Sequence, residues 1–376
     1  MQAFTLLIKP SGSECNLDCK YCFYKDRAPE VGEGRQRMSE ETLEKLVKDY
    51  LGLRFEVSGF AWQGGEPTLM GLDFYQKVVS FQKKYGAAGQ EVSNALQTNG
   101  ILLDESWCRF LHDSKFLVGI SIDGPRELHD YYRVDHSGNG SFDKVMRAIE
   151  TCRKYKVEFN TLTLLNNKNV ERPDELFDFF IEKGIRYLQF IPCFETEPGT
   201  GKVSDFSVTP EQYGEFLCRT FDRWYEYGPR EVSIRDFDSI LGYCLSGKHT
   251  ICTFGKQCSQ YIVVEHTGDC FCCDFFVEEK WRLGNIFETP IEKLAASSKK
   301  RSFARAKQNL CNKCLVCRSL EVCRGGCMKD RRAGEGGGES YFCESYRRFF
   351  DYTMPRFMEI AAKINAGARV DTQPYL

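Results

Sequence analysis

No run of apolar residues in this sequence approaches the roughly 20 that a membrane-spanning helix needs, so a transmembrane protein is not expected. Charge of one sign is not in excess either. The 51 lysines and arginines face 53 aspartates and glutamates, a net charge of −2, so no basic footprint for a nucleic acid is visible. The first residues, MQAFTLLIKPSG, lack the basic start and long apolar core of a secretion signal and read as a first strand. Without such a signal a disulfide framework is not expected, and the cysteine count of 19 is odd.

Cysteine itself is plentiful. At about 5% of the chain it falls below the range of disulfide scaffolds, yet it is high for a large intracellular protein. Cysteine used at this level in a reducing compartment points to metal or redox chemistry, and the reading is a cytoplasmic iron–sulfur protein of an anaerobe. A length of 376 residues is ample for two or three domains.

The densest chemistry lies in residues 15–24, CNLDCKYCFY, directly after the first apolar run. Cys15, Cys19 and Cys22 are spaced C-x3-C-x2-C, and a short loop lets thiolates converge on one small object. Three thiolates for a four-iron cluster leave one iron open, and an open metal position is where chemistry happens. A zinc knuckle or reduced surface thiols are the alternatives. With Tyr21 before the last cysteine, the stretch resembles the signature of radical S-adenosylmethionine (SAM) enzymes. In that family the open iron holds the amino and carboxylate groups of SAM, and electron transfer releases a 5′-deoxyadenosyl radical.

Strand-like and helix-like segments alternate from residue 4 to about 193. Strands are expected at 4–8, 55–62, 91–97, 116–122, 158–165 and 186–191, and helices at 39–51, 72–85, 105–113, 142–155 and 172–183. This repeat implies right-handed β-α-β units with a parallel sheet, and six units make a partial (β/α)6 barrel. Ligands in such sheets sit at the carboxyl ends of strands, where the cysteine loop lies. The expected division is a partial barrel over 1–207, a helical connection over 208–250, and an auxiliary-cluster domain with a C-terminal helix over 251–376. Residues 195–207 read as a polar linker ahead of helices at 210–227 and 236–246, whose aromatic residues are expected in the core.

Further loops fall on the same face. Gln63-Gly64-Gly65-Glu66-Pro67 follows the second strand; its glycines allow close backbone approach and Glu66 can meet an ammonium. In the radical SAM family a GGEP loop holds the amino group of SAM. By the same resemblance Tyr21, Gly64, Gly65, Glu66, Ser121, Arg133 and Phe194 are expected as SAM neighbours, and His129 as structural.

The C-terminal third carries an ordered cysteine field. Cys258 is followed by nine residues, Gly268, four residues and Cys273; Cys314-x2-Cys317-x5-Cys323-x3-Cys327 comes later, and Cys343 lies sixteen residues beyond. The pattern resembles the SPASM extension of radical SAM peptide-modifying enzymes. The resemblance implies two auxiliary 4Fe-4S clusters, one on Cys252, Cys258, Cys273 and Cys327 and one on Cys314, Cys317, Cys323 and Cys343. Zinc is the alternative that paired cysteines leave open. Cys270, Cys272 and Cys311 lie beside these positions without an assigned role. Cys108, Cys152, Cys193, Cys218 and Cys244 read as small apolar core residues.

Over nearly its whole length the chain resembles the anaerobic sulfatase-maturating enzymes, through LLIKP, CNLDCKYCFY, WQGGEPTL, LQTNG, CDFF, KWRLGNI, CRGGC and FCESY. The implied activity is oxidation of a sulfatase cysteine or serine to Cα-formylglycine by Cβ hydrogen abstraction, with an electron passing to the auxiliary clusters. The implied cofactors are SAM and three 4Fe-4S clusters. The implied partners are a sulfatase polypeptide with a Cys/Ser-x-Pro/Ala-x-Arg motif and a donor such as flavodoxin or ferredoxin, with the enzyme a monomer. Asp274, bonded in sequence to Cys273, is the candidate catalytic base, a role that calls for desolvation or hydrogen bonds to strengthen it. Two other readings remain: a SPASM maturase forming thioether or carbon–carbon crosslinks, disfavoured by the short lead-in to the first strand, and a non-catalytic iron–sulfur electron carrier.

Overall fold

All six strands expected from the sequence form: β1 (Thr5–Lys9), β2 (Val57–Trp62), β3 (Glu91–Thr98), β4 (Phe116–Ser121), β5 (Phe159–Leu165) and β6 (Tyr187–Pro192). Four more follow: β7 (Ser233–Ile234), β8 (Tyr261–Glu265), β9 (Asp269–Phe271) and β10 (Arg282–Asn285). The computed structural model describes residues 2–24, 36–197, 199–331 and 337–367. Residue 198 of the expected linker and 368–376 of the expected C-terminal domain lie outside these. The chain divides into two compact units, one of Met1–Ile122, His129–Phe159 and Cys258–Arg305, the other of Asp123–Leu128, Asn160–Gln257 and Ala306–Leu376.

In the first unit β1 to β4 lie side by side in chain order and parallel, with Leu6 opposite Phe60, Trp62 opposite Leu96, and Leu96 opposite Val118. Parallel neighbours need long crossovers, which helices Glu40–Leu51, Leu72–Tyr85 and Glu105–Asp113 supply. Their starts follow the expected capping chemistry. Ser39 Oγ accepts from Thr42 N at 3.0 Å, and Asp104 Oδ1 from Trp107 N at 2.9 Å, each satisfying an orphan first-turn donor. Leu6, Ile8, Phe60, Trp62, Leu96, Val118 and Ile120 are buried and form the sheet's core face with the helices. On the other side of β1 runs β8, parallel and in register from Thr5 with Tyr261 to Lys9 with Glu265; β9 then pairs antiparallel with β8, and β10 with β9. The α/β class expected from the sequence holds, as an open sheet rather than a closed barrel.

In the second unit β5 pairs parallel with β6, and β6 with β7. Helices Pro210–Tyr227, Arg235–Ser246 and Cys343–Asn365 pack through aromatic side chains, with Phe221 and Phe357 ring centres 4.8 Å apart and Phe237 stacked on Phe349 at 5.5 Å. Thr209 and Gln212 form a reciprocal capping box ahead of Pro210, which fixes where the long helix starts. Tyr213, Phe216, Phe221 and Trp224 are buried as expected, while Tyr225 is half-buried. The expected linker is tied down: Thr196 bridges Val203, and Val208 N donates to Cys193 O at 3.0 Å. The short helix Arg126–Tyr132 was not expected from the sequence. Among the described residues no helix is long and apolar enough to cross a membrane.

Candidate active site

The cysteine loop leaves the carboxyl end of β1 and is fastened to the loop after β2 by backbone hydrogen bonds. Gly65 N donates to Gly12 O at 2.8 Å and Glu66 N to Glu14 O at 2.7 Å. A Cβ on Gly65 would sit 2.0 Å from the Glu14 carbonyl oxygen, and Gly64 has φ +121°. These two glycines therefore serve first to bring two backbones together. The buried Glu66 is the hub of the arrangement. Its Oε1 accepts from Thr68 N (3.0 Å), from the Thr68 hydroxyl and from Thr98 Oγ1 (2.7 Å), and its Oε2 from Asn99 N (2.7 Å). Burial raises the Glu66 carboxyl above its ordinary range, against the pull of these donors.

The environment of Cys15 suits an iron–sulfur ligand. Its Sγ accepts from Leu17 N at 3.4 Å and from Asn99 Nδ2 at 3.7 Å, donors of the kind that tune cluster thiolates. Burial, with the charges of Glu66, Cys19 and Cys22 nearby, pushes the Cys15 thiol up to about 12. All 19 cysteines are free of disulfides. Among the described residues no three cysteine sulfurs crowd within 4.8 Å of one another; the group that does so is Glu339, Cys343 and Glu344. Lys313 bridges Glu339 and Glu344 at 2.7 Å each, which makes that acidic group a surface ion pair.

Several expected SAM neighbours meet here. Arg133 Nη1 donates to Tyr21 Oη at 3.0 Å, and Gln97 Nε2 donates to Ser121 Oγ at 3.2 Å. Phe194 falls in the other unit, where its ring stacks on Tyr341 at 4.1 Å and its carbonyl accepts from Lys329 Nζ at 2.6 Å. His129 is structural, as expected. Ser141 Oγ donates to Arg133 O at 2.8 Å and so accepts from His129 Nε2 at 2.9 Å, and burial followed by the Arg133 charge drives the imidazole well below its ordinary range.

Asp274 opens a short 3-10 turn after Cys273 and is 9% exposed. Its Oδ2 accepts from Tyr24 Oη at 2.7 Å and from Gln63 Nε2 at 2.9 Å, and its Oδ1 lies 2.7 Å from Lys9 Nζ. The same ammonium is 3.0 Å from Glu265 Oε1, because Lys9 and Glu265 are register partners on β1 and β8. Burial works against the charge on Lys9, but Asp274 and Glu265 together raise its pKa. Burial pushes Glu265 up, opposed by Lys9. Tyr24 lies well above its ordinary range through burial and the Asp274 charge, so it stays a donor. Lys9, Tyr24 and Glu265 were not foreseen. A lysine ending an apolar strand was the one signal available, since only the β1–β8 pairing reveals its partners.

Of the residues expected to hold the first auxiliary cluster, Cys258 and Cys273 fall in the first unit and Cys252 and Cys327 in the second. Each half has a buried lysine. Lys300 Nζ donates to Tyr261 O and, at 3.0 Å, to Cys272 O; burial lowers its pKa while the thiols of Cys272, Cys273 and Cys258 raise it. Lys307 Nζ donates to Thr253 O at 2.7 Å and to Cys252 O. Along the extended chain Cys270 and Cys272 are buried, whereas Cys273 alternates to the opposite side and is half-buried. For the second set, the Cys323 thiol accepts backbone N–H groups of Gly325 and Gly326, which follow Arg324 through left-handed φ of 51°, 75° and 65°. Burial, then Cys311 and Cys323, push Cys314 up to about 12. Of the expected core cysteines, Cys108, Cys152, Cys193 and Cys218 are buried and Cys244 is half-buried.

Comparison with known proteins fits this layout. Residues 10–180 match the Radical SAM superfamily, and residues 252–318 match SPASM, an iron-sulfur cluster-binding domain. The chain is 39% identical over 369 residues to a cysteine-type anaerobic sulfatase-maturating enzyme of Clostridium perfringens, across 97% of this chain and 100% of that one. A serine-type anaerobic sulfatase-maturating enzyme of Bacteroides thetaiotaomicron is 37% identical over 378 residues, across 95% and 91%. The solved structure of native anSMEcpe with bound AdoMet and Cp18Cys peptide matches with a TM-score of 0.89 at 40% identity, across 96% of this chain and 100% of that one.

Proposed function

The chain belongs to the anaerobic sulfatase-maturating enzymes of the radical SAM superfamily, and on that premise we propose that it oxidises a sulfatase cysteine or serine to formylglycine. The observation that carries the reading is the shielded carboxylate of Asp274, one residue from a candidate cluster ligand and gripped by Lys9, Tyr24 and Gln63. Cys15, Cys19 and Cys22 would hold the cluster that, with SAM bound, would supply the radical chemistry for removing a Cβ hydrogen from the substrate. The chain's own residues then handle the proton. Asp274 accepts it from the substrate thiol or hydroxyl as the carbon centre is oxidised. Tyr24 and Gln63 fix the Oδ2 direction, and Lys9 holds Oδ1 while sharing its charge with Glu265. Tyr21, Gly64, Gly65, Glu66, Ser121, Arg133 and Phe194 are the proposed SAM neighbours.

Cys252, Cys258, Cys273 and Cys327 would hold one auxiliary 4Fe-4S cluster and Cys314, Cys317, Cys323 and Cys343 a second, and these would supply an acceptor for the electron. Buried Lys300 and Lys307 support this assignment, since a cation beside thiolates offsets the charge of a buried cluster. The domain limits proposed are 1–207, 208–250 and 251–376. The partners proposed are a sulfatase polypeptide and a flavodoxin- or ferredoxin-like donor, with the enzyme a cytoplasmic monomer.

The test is mass spectrometry of anaerobically reconstituted protein given SAM, a reductant and sulfatase-type peptides carrying either cysteine or serine. The aldehyde in place of the thiol or hydroxyl, formed together with 5′-deoxyadenosine, is the expected result. Deoxyadenosine with both peptides unchanged would sink the sulfatase substrate and leave a crosslinking maturase. Absence of deoxyadenosine would leave an electron carrier.

A further inference from the structure

The second auxiliary set has one cysteine too many. Asn312–Leu315 is a single helical turn whose first residue follows Cys311, and Cys314 N donates back to Cys311 O at 2.9 Å. That turn brings Cys311 Sγ to 3.6 Å from Cys314 Sγ, with the Cys311 thiol as donor. The sequence here reads Cys311-x2-Cys314-x2-Cys317, two overlapping C-x2-C pairs in one run.

The separation decides what the extra thiol can do. With a thiolate–metal bond of about 2.3 Å, two sulfurs on one tetrahedral metal lie about 3.8 Å apart. Sulfurs 3.6 Å apart lie at about that separation, so the Cys311 thiol stands within reach of the metal position that Cys314 would serve. Cys311 is half-buried, beside the candidate ligand and on the same short segment, so reaching that position needs only a local shift.

We propose that Cys311 is a reserve ligand of the second auxiliary cluster, able to replace Cys314 on the same iron. The proposal rests on the assignment of Cys314, Cys317, Cys323 and Cys343 to that cluster. The exchange is balanced without an oxidant or reductant. The Cys311 S–H proton passes to the departing Cys314 thiolate, one iron–sulfur bond forms and one breaks, and the cluster keeps its charge. Until then the Cys311 S–H donates to Cys314 Sγ.

Iron and acid-labile sulfide content, with Mössbauer spectra, test this on the full anaerobically reconstituted chain. The variants are Cys311→Ala, Cys314→Ala, the double Cys311→Ala/Cys314→Ala, and Cys323→Ala as the control. The expected result is wild-type iron in both single variants at the pair and loss of one cluster, about a third of the iron, in the double and in Cys323→Ala. Far-UV circular dichroism and retained SAM cleavage in each preparation separate ligand loss from misfolding. Loss in Cys314→Ala as large as in the double overturns the reserve role. Full iron in both the double and Cys323→Ala overturns the cluster assignment beneath it.

Discussion

Replacing Asp274 by asparagine removes one negative charge while keeping the shape of the side chain. Two of the donors around it, Tyr24 at 2.7 Å and Gln63 at 2.9 Å, converge on Oδ2, and Lys9 approaches Oδ1 at 2.7 Å. An amide offers one acceptor and one donor end, so its NH2 must face either Lys9 or the Tyr24–Gln63 pair. The lost charge-assisted contact is worth about 1.5–3 kcal/mol. Lys9 does not become an orphan, because Glu265 remains 3.0 Å away. The fold should therefore survive, with iron–sulfur clusters loaded and SAM bound. Loss of a general base typically lowers a rate about a hundred- to ten-thousand-fold, or roughly 3–5 kcal/mol of barrier. Single-turnover assays reading formylglycine by mass spectrometry and 5′-deoxyadenosine by chromatography separate the two steps. Deoxyadenosine should continue to form while the aldehyde falls by that factor. Aldehyde output within about threefold of wild type would remove Asp274 from the proton transfer, since base catalysis is worth more than that.

Other consequences are as direct. Gly65→Ala puts a Cβ into the Glu14 carbonyl, displacing the cysteine loop; iron at the N-terminal site and SAM cleavage should both collapse, and normal iron would show that the two loops can part. Lys300→Met removes a buried cation that faces the thiols of Cys258 and Cys273; a redox titration should find one auxiliary potential shifted negative, and an unchanged potential would leave Lys300 a packing residue. His249 stacks on Tyr243 at 4.5 Å, and burial lowers its pKa to about 4. A group depressed in the folded state gives stability that is present above its unfolded value near 6.5 and is lost as pH falls toward 4. Thermal melts from pH 7.5 to 5 should fall by an amount that His249→Phe reduces, on the order of 1 kcal/mol after allowing for partial exposure. Parallel slopes for the two proteins would assign the acid sensitivity elsewhere.

The alternation of apolar runs with capped helices was enough to place β1 to β6, because each strand's burial and each first-turn donor is a local matter. Ser39 and Asp104 cap the helices their positions announce. The cysteine spacings were equally local, since a loop of that length can bring its thiols to one object whatever surrounds it. Glu66 was legible as a functional glutamate, but its accepting contacts with Thr68, Thr98 and Asn99 were not, as Thr98 and Asn99 come from the end of β3. Strands β7, β9 and β10, of two to four residues, carried too few residues for periodicity to register.

The α/β class and the cysteine spacings are written in short patterns along the chain, and the expected SAM neighbours and cluster ligand sets came from the family resemblance that those patterns carry. Tertiary structure decided what surrounds them. Lys9 meets both Glu265 and Asp274 only because β8 pairs with β1 across more than two hundred and fifty residues. Tyr24 and Gln63 reach the same carboxylate from two separate loops. Burial of an ion triplet depends on long-range pairing, and no local pattern encodes which distant partner will arrive.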